Sequence, residues 1–166
     1  MISLKDSLKI FNPTGRTFLV TGGAGFIGSH IIRWLVVNQA RVRVLDQFTT
    51  GKHENLEEVL NQIELVKGDT SNLATVRRAS KGVEYVLHLA ALVSVPQSVD
   101  FPEHNFKVNL AGLHNVLLAA REARVRRVVF SSSCAVYGNQ PAPHHEALAP
   151  QSLSPYAAAK LSGEQF

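Results

Sequence analysis

A glycine-rich turn between a short apolar run and a helical pattern is the feature that most constrains the fold of this chain. The apolar run covers residues 16–20, the glycines lie within residues 21–28, and apolar side chains then recur at helical spacing as far as residue 38. A strand that enters a helix through glycines leaves backbone N–H groups free at the start of that helix. The pattern therefore predicts a strand–turn–helix unit that binds the phosphates of a dinucleotide.

The glycines of the turn have different expected roles. Gly22 permits the tight turn out of the strand, Gly25 lets a pyrophosphate approach the backbone, and Gly28 lets the helix pack against the sheet. Phe26 and Ile27 stand between the last two of these glycines, at the expected start of the helix. The N-terminus of the helix adds partial positive charge toward the phosphates.

The rest of the chain alternates between apolar runs and helical patterns. The predicted strands are residues 16–20, 41–45, 63–67, 83–89 and 128–131. The first predicted helix is opened by the glycines and ends near residue 38. The others are residues 55–61, 73–79, 105–123 and one that starts near residue 155 and runs to residue 166, with loops at the proline-containing residues 94–102 and 138–150. Alternation of this kind predicts a doubly wound α/β fold of the Rossmann type, with a parallel sheet in the order 3-2-1-4-5. Residues 1–15 are an expected N-terminal extension, and residues 16–166 are one dinucleotide-binding domain.

Acidic residues end two of the predicted strands. Asp46 is placed to accept hydrogen bonds from the adenosine ribose hydroxyls and to repel a 2′-phosphate, so the predicted cofactor is NAD rather than NADP. The alternative for Asp46 is an ordinary polar strand end. Asp69 either reaches the adenine amino group or caps the next helix, since Thr70 and Ser71 follow it.

A tyrosine and a lysine share one face of the last predicted helix. Tyr156 and Lys160 are four positions apart. A free phenol, with a pKa of about 10, is a poor base at neutral pH, but a nearby ammonium stabilises its phenolate. The pair is therefore a candidate catalytic base with its helper, and Lys160 is also placed to bond the nicotinamide ribose. The alternative is a chance pair on a helix surface.

Three serines, Ser131 to Ser133, follow the fifth predicted strand. Ligands of open parallel sheets bind at the carboxyl ends of the strands, so a hydroxyl there can hold a substrate oxygen and relay its proton to Tyr156. The alternative is that these serines satisfy backbone groups at the strand end.

Composition excludes several classes of partner. The net charge of +4 is spread along the 166 residues, which argues against nucleic acid. No stretch approaches the roughly 20 apolar residues of a membrane span. The single cysteine, Cys134, forms no internal disulfide, which fits a cytoplasmic location, and is expected to be a small packed side chain. His144 and His145 lack other ligands, so no metal is predicted, and His88 is expected to be buried and hydrogen-bonded.

Taken together, these motifs resemble the extended short-chain dehydrogenase/reductase superfamily and, within it, the NAD-dependent nucleotide-sugar 4-epimerases. The resemblance covers the chain after residue 16. It rests on residues 21–28, Asp46, Gly68-Asp69, residues 88–91, Asn109 with Gly112, residues 131–138, Ser154-Pro-Tyr156 and Lys160. The sequences at residues 46–51 and 91–98 are most similar to UDP-N-acetylglucosamine or UDP-glucose 4-epimerases. Ala135 stands where related dehydratases and decarboxylases carry an acid.

The resemblance implies roles that spacing alone does not give. Ser133 matches the catalytic Ser/Thr, Tyr156 the base and Lys160 its helper, and Ser94 falls in a loop that lines the sugar site together with Ser133 and Tyr156. The implied cofactor contacts also include Phe26, Ile27, Thr50, Gly51, Asp69, Thr70, Leu89, Ala90, Ala91, Asn109 and Ser131. The implied reaction removes the sugar 4-hydrogen as hydride to NAD and returns it to the other face of a 4-keto sugar.

The family is longer than this chain, whose similarity is to its N-terminal portion. The missing portion closes over the nicotinamide and forms most of the uridine diphosphate pocket. Three hypotheses stay open: an N-terminal fragment of an epimerase, a non-catalytic NAD-binding module, and one half of a split enzyme. The resemblance also implies a homodimer through the helix at residues 105–123 and the helix that starts at residue 155.

Overall fold

The computed structural model describes residues 11–166, so residues 1–10 of the predicted extension lie outside the described residues. Its strands are β1 (Thr17–Thr21), β2 (Arg41–Asp46), β3 (Ile63–Lys67), β4 (Tyr85–His88) and β5 (Arg127–Phe130). They form one parallel sheet in the order β3-β2-β1-β4-β5. The predicted Rossmann topology is therefore confirmed, with strand ends that differ from the prediction by one or two residues.

Helices and helical turns connect the strands. They are α1 (Phe26–Val37), a 3₁₀ segment (His53–Gln62), α2 (Leu73–Ser80), α3 (Val95–Asp100), α4 (Pro102–Asn105), a π-helical turn (Phe106–Ala111), α5 (Gly112–Glu122), a 3₁₀ turn (Cys134–Tyr137) and α6 (Pro155–Glu164). The elements α4, the π turn and α5 follow one another without a break and are called here the long helix, residues 102–122.

The central strand β1 alternates its side chains between two apolar cores. Phe18 and Val20 pack on the face covered by α1 and the 3₁₀ segment, whereas Leu19 packs on the face covered by α2 and α5. Side chains in a strand alternate with a period of two, and a parallel sheet is covered on both faces, so strands such as this one are apolar throughout. The apolar character of β1 on both sides therefore suits its central place.

Strand register brings the functional segments to one edge of the sheet. The Cα atom of Thr21 pairs with that of Leu45 on one side and with that of His88 on the other. The residues that follow these paired positions are the glycine turn, Asp46 and Leu89. All of them therefore meet at the carboxyl edge, where open α/β sheets bind ligands.

One part of the sheet is less covered than the rest. Beside α1, strands β4 and β5 border an open groove of about 530 Å³. Val129 of β5 is 53% exposed there. The groove is lined by Phe11, Phe18, Ile31, Trp34, Leu35, Tyr85, Leu87, Arg126, Arg127 and Val129.

The prediction of a loop at residues 94–102 is wrong, because the prolines begin helices there. The Ser94 hydroxyl accepts a hydrogen bond from the Gln97 N–H and caps α3, with Pro96 in its first turn. Pro102 then occupies the first turn of α4. Proline is tolerated at these positions because the first N–H groups of a helix have no intrahelical partner.

The long helix begins three residues earlier than predicted and contains the π turn. Its predicted inward side is confirmed, since Val108, Gly112, Val116 and the Ala119-Ala120 pair are buried. Two buried polar residues belong to this part of the helix: Asn109 lies within the π turn, and Asn105 directly precedes it.

Candidate dinucleotide and active site

A groove of about 480 Å³ runs along the carboxyl edge of the sheet, from the glycine turn to helix α6. It brings together most of the residues that the sequence predicted. The predicted residues that line it are Gly22, Gly25, Phe26, Ile27, Gly28, Asp46, Thr50, Gly51, Asp69, Thr70, Leu89, Ala90, Ala91, Ser131, Tyr156 and Lys160. Ser94, Asn109 and Ser133 do not line it.

The glycine turn packs so closely that side chains do not fit. Gly22 has a φ of +70°, and a Cβ added to it would lie 2.7 Å from the backbone nitrogen of Ala90. A Cβ on Gly28 would lie 2.5 Å from the carbonyl oxygen of Gly22. Non-glycine residues at both positions would therefore force apart the turn, the start of α1 and the segment after β4.

The N-terminus of α1 is built to receive an anion. Its N-cap residue is Gly25, and no side chain caps the helix or places an acid in its first turn. Gly25 lines the groove together with Phe26, Ile27 and Gly28 of that turn. Backbone N–H groups at such a terminus attract phosphate through hydrogen bonding and the helix dipole. The turn therefore fits the pyrophosphate of a dinucleotide.

Asp46 is the last residue of β2, and its carboxylate binds backbone groups on both sides. One oxygen, Oδ2, accepts the N–H of Ala24 at 2.9 Å, and Oδ1 accepts the N–H of Phe48 at 2.8 Å. The side chain thus fixes the glycine turn as well as bringing negative charge into the groove. This structural role was missed from the sequence, since it depends on a contact across 22 positions.

Asp69 follows β3 and lines the groove, and it does not cap a helix. Its carboxylate accepts hydrogen bonds from the N–H and the hydroxyl of Ser71. The cap of α2 is Asn72, whose side chain accepts the N–H of Thr75 at 3.1 Å. The cap alternative is therefore wrong, while the adenine contact of Asp69 stays a prediction.

Tyr156 and Lys160 both face the groove from α6 and are 7% and 3% exposed. The ammonium Nζ of Lys160 donates a hydrogen bond to the carbonyl oxygen of Ser131 at 2.8 Å. It also lies 4.7 Å from the ring centroid of Phe130 and 5.8 Å from that of Tyr156. The predicted shared face is thus observed, and Phe130 is a contact that the sequence did not reveal.

Burial brings the pKa of Lys160 close to neutral pH. Desolvation lowers the pKa of Lys160 from its usual value to about 8. The side chain therefore stays largely protonated at neutral pH, although its charge is removed from water. An ammonium in this position can stabilise negative charge on a neighbouring phenol oxygen.

His88 is buried and hydrogen-bonded, as predicted. Its Nδ1 lies 2.7 Å from the hydroxyl oxygen of Thr21, which also accepts the N–H of Ala90 at 3.3 Å. Burial first, and the charge of Lys160 second, lower the pKa of His88 to about 3, so the ring is neutral. The three residues Thr21, His88 and Ala90 join the ends of β1 and β4 beneath the groove.

The three serines after β5 differ in their contacts. Ser131 and Ser132 line the groove, and the Ser132 hydroxyl bonds the carboxylate of Glu164 on α6. The hydroxyl of Ser133 accepts the N–H of Ala135 at 3.2 Å, so this serine satisfies a backbone group. Cys134 is exposed, and its prediction as a packed side chain is wrong, because the 3₁₀ turn directs it outward.

Asn109 lies behind the groove and holds the segment that follows β4. Its Oδ1 accepts the N–H of Leu92 at 2.8 Å, and its Nδ2 donates to the Leu92 carbonyl at 2.9 Å. Asn105, one turn earlier, accepts a second bond from the same Nδ2 at 2.7 Å. Ser94 caps α3 rather than lining the groove, and its role at a sugar site stays a prediction.

Two further findings apply to residues 11–166. They contain no group of three or more His, Cys, Asp or Glu side chains arranged to hold a metal ion. No helix within the same range is long and apolar enough to cross a bilayer.

Curated sequences similar to this chain are nucleotide-sugar enzymes. A UDP-glucose 4-epimerase of Mycolicibacterium smegmatis is 42% identical over an alignment of 153 residues, which covers 89% of this chain and 49% of that relative. A UDP-glucose 4-epimerase of Azospirillum brasilense is 35% identical over an alignment of 151 residues, which covers 89% of this chain and 42% of that relative. The chain thus spans about half the length of the relatives it matches.

Solved structures agree with the sequence relatives. The UDP-N-acetylglucosamine 4-epimerase of Methanobrevibacter ruminantium, in complex with UDP-N-acetylmuramic acid, has a TM-score of 0.86 and 38% identity, covering 92% of this chain and 49% of its own. The UDP-glucose 4-epimerase of Thermus thermophilus, in complex with NAD, has a TM-score of 0.83 and 41% identity, covering 90% and 49%. The model of the NAD dependent epimerase/dehydratase family matches residues 18–166. On fold, groove and match alike, the chain belongs to the NAD dependent epimerase/dehydratase family.

Proposed function

We propose that this chain forms the NAD-binding half of a nucleotide-sugar 4-epimerase that acts on UDP-glucose or UDP-N-acetylglucosamine. The observation that carries the proposal is that Tyr156 and Lys160 face the same groove as Gly22 and Asp46. The names of the similar enzymes support this choice of reaction. Ala135, in place of an acid, supports an epimerase over a dehydratase or decarboxylase.

The groove offers separate groups for each part of the cofactor. The glycine turn and the N-terminus of α1 would hold the pyrophosphate, Asp46 the adenosine ribose and Lys160 the nicotinamide ribose. When bound, NAD would supply a reversible hydride acceptor for the hydrogen on sugar C4. Because that hydrogen returns in each cycle, the cofactor can stay bound.

Tyr156 would move the proton of the reaction. Its phenolate oxygen takes the proton of the sugar 4-hydroxyl while the C4 hydrogen leaves with its electron pair, and the phenol gives the proton back on return. Lys160 stabilises the phenolate, with its Nζ oriented by the carbonyl oxygen of Ser131. Ser133 would hold the substrate oxygen, a role that competes with its present bond from Ala135.

The test combines cofactor binding with turnover. NAD binding to the chain is measured by isothermal titration, and epimerisation of both UDP-sugars is followed for the chain and for Tyr156→Phe. We expect NAD to bind both proteins and any turnover to vanish in the variant. Binding without turnover would favour a non-catalytic module or a fragment. Turnover only with a second polypeptide would favour a split enzyme, and absence of NAD binding would contradict the proposal.

We also infer a homodimer in the cytoplasm, with contacts through the long helix and α6. Phe106 and Phe166, on or next to these helices, are 58% and 68% exposed. Aromatic side chains are enriched at protein interfaces. Light scattering should give twice the monomer mass for the chain and the monomer mass for Phe106→Ser; a monomeric wild type would contradict the dimer.

A further inference from the structure

In the first turn of α6, every residue that has a backbone N–H donates it to a hydrogen-bond partner. The N-cap Ser154 accepts the N–H of Ala157 on its hydroxyl at 3.1 Å, and Pro155 has no N–H. The remaining group of the first turn is the N–H of Tyr156. It donates to the hydroxyl oxygen of Ser98, 58 positions earlier in α3, at 3.2 Å.

Ser98 is oriented for this contact. Its hydroxyl donates its own hydrogen to the carbonyl oxygen of Val95 at 2.7 Å, which leaves the oxygen lone pairs to accept from Tyr156. The Ser98 side chain is 0% exposed, so water does not reach the hydroxyl to compete for this hydrogen bond. Loss of the hydroxyl would leave the Tyr156 N–H buried without a partner, which is costly for a backbone donor.

The contact joins two parts of the groove. Helix α3 directly follows the segment of Leu89 to Val93, which lines the groove and is held at Leu92 by Asn109. At its other end α3 is bonded through Ser98 to the residue that we assign as the base. A continuous series of contacts therefore connects the groove-lining segment after β4 to the backbone of Tyr156.

We propose that Ser98 is a positioning residue for Tyr156. It accepts a backbone N–H at the start of α6 from another helix. It thereby sets the positions of the phenol and of Lys160 at the end of the groove that α6 lines, called here the tyrosine end. This inference rests on the proposed function, because it gives Tyr156 its role as base. It assigns Ser98 no contact with cofactor or sugar.

The first test needs no ligand. Amide hydrogen exchange is measured by NMR for the chain, for Ser98→Ala and for Ser162→Ala, whose hydroxyl is on the same helix as Tyr156 and bonds only the Ala158 carbonyl among residues 11–166. We expect the Tyr156 amide to exchange at least about tenfold faster in Ser98→Ala, and unchanged in Ser162→Ala. Equal rates in all three proteins would overturn the proposal. If Ser98→Ala does not fold, a Tyr156 amide as unprotected as a free peptide in the wild type would overturn it instead.

The second test separates positioning from general loosening by comparing two ligands. In the proposed function NAD would reach both ends of the groove, whereas ADP would occupy only the end at the glycine turn, called here the phosphate end. We expect Ser98→Ala to weaken NAD about fivefold and to leave ADP within about twofold, with Ser98→Thr recovering part of the NAD loss. Equal losses for both ligands, or none, would overturn the positioning role. A wild-type chain that binds neither ligand would refute the proposed function itself. The exchange data would still show whether the Tyr156 N–H is held by Ser98.

Discussion

At its phosphate end the groove is made of backbone, whereas at its tyrosine end it is made of side chains held from other elements. Gly22, Gly25 and Gly28 come from one short segment that runs from the end of β1 into the first turn of α1, and they line the groove without side chains. Tyr156 and Lys160 instead depend on Ser98 from α3 and the Ser131 carbonyl after β5. The backbone of one short segment is enough to contact a phosphate, but a group that reacts must be oriented by contacts from several elements.

The largest expected effect breaks the phosphate end. Gly22→Ala should destabilise the fold by about 4 kcal/mol and abolish NAD binding, because a Cβ meets the Ala90 backbone at 2.7 Å and φ is +70°. Gly82→Ala is the matched control, since Gly82 has the same φ of +70° with nothing within 4 Å. It should lose only about 1 kcal/mol. Urea unfolding and calorimetric titration measure both, and equal losses would show that close packing is not what selects glycine.

The second effect concerns His88, which lies between the two ends. Its folded pKa of about 3 is below the usual value of 6.5, so below pH 6.5 the unfolded chain binds more protons and stability falls as pH decreases toward 3. We expect a loss of about 3 kcal/mol from this residue between pH 7 and pH 4. The carboxylates of Glu84 and Glu122, whose pKa values their arginine partners lower, add a loss at acid pH.

His88→Asn isolates the histidine, because the carboxylates titrate in both proteins. The wild type should lose about 3 kcal/mol more than the variant over this pH range, measured by urea unfolding at each pH. Parallel pH profiles for the two proteins would mean that the imidazole is not buried as described.

The third effect sharpens the contrast at the tyrosine end. The folded pKa of Lys160, about 8, is below its usual 10.5, so its burial as an ion destabilises the fold at neutral pH and this cost disappears as pH rises from 8 to 10.5. Lys160→Met should therefore stabilise the chain by about 2 kcal/mol at pH 7, less so at pH 10, while weakening NAD. Exposed Lys67→Met is the control and should change neither. A destabilised Lys160→Met at pH 7 would contradict the sign of this argument.

The smallest effect tests selectivity at the adenosine side. Asp46→Asn removes the charge while keeping one oxygen to accept a backbone N–H. NAD affinity should fall about tenfold, or about 1.4 kcal/mol, and NADP should lose less, because repulsion of its extra phosphate disappears. Calorimetric titration with both cofactors measures the difference. Equal losses would show that the carboxylate acts only by holding Ala24 and Phe48.

The same division governs what the sequence could predict. The strand order and the glycine turn follow from local patterns, since apolar runs, glycines and Asp46 are read within a few positions of one another. The prolines at 96 and 102 misled the prediction, although Ser94 followed by Pro96 is itself a helix-start signal.

Tertiary contacts account for the residues that were missed. Ser98 is an ordinary serine until α3 packs against α6, and Thr21 acquires its partner only when β1 and β4 align. The bond of the Ser133 hydroxyl was missed for a related reason, since it begins a 3₁₀ turn that no periodicity indicates, while the catalytic role of Ser133 stays a prediction. Pairings across 58 or 67 positions leave no trace in a single sequence.

The π turn of the long helix sets a further constraint on how such a chain can change. A π turn holds one more residue than the α-helix it interrupts, and each α-helical residue corresponds to a rotation of about 100°. Removing one residue from Phe106–Ala111 would keep the helix continuous but rotate Asn105 away from Asn109. The Asn109 side chain would then lose the contact that supports its bonds to Leu92. The fold should therefore tolerate substitution in this stretch, for example at the exposed Phe106, far better than insertion or deletion.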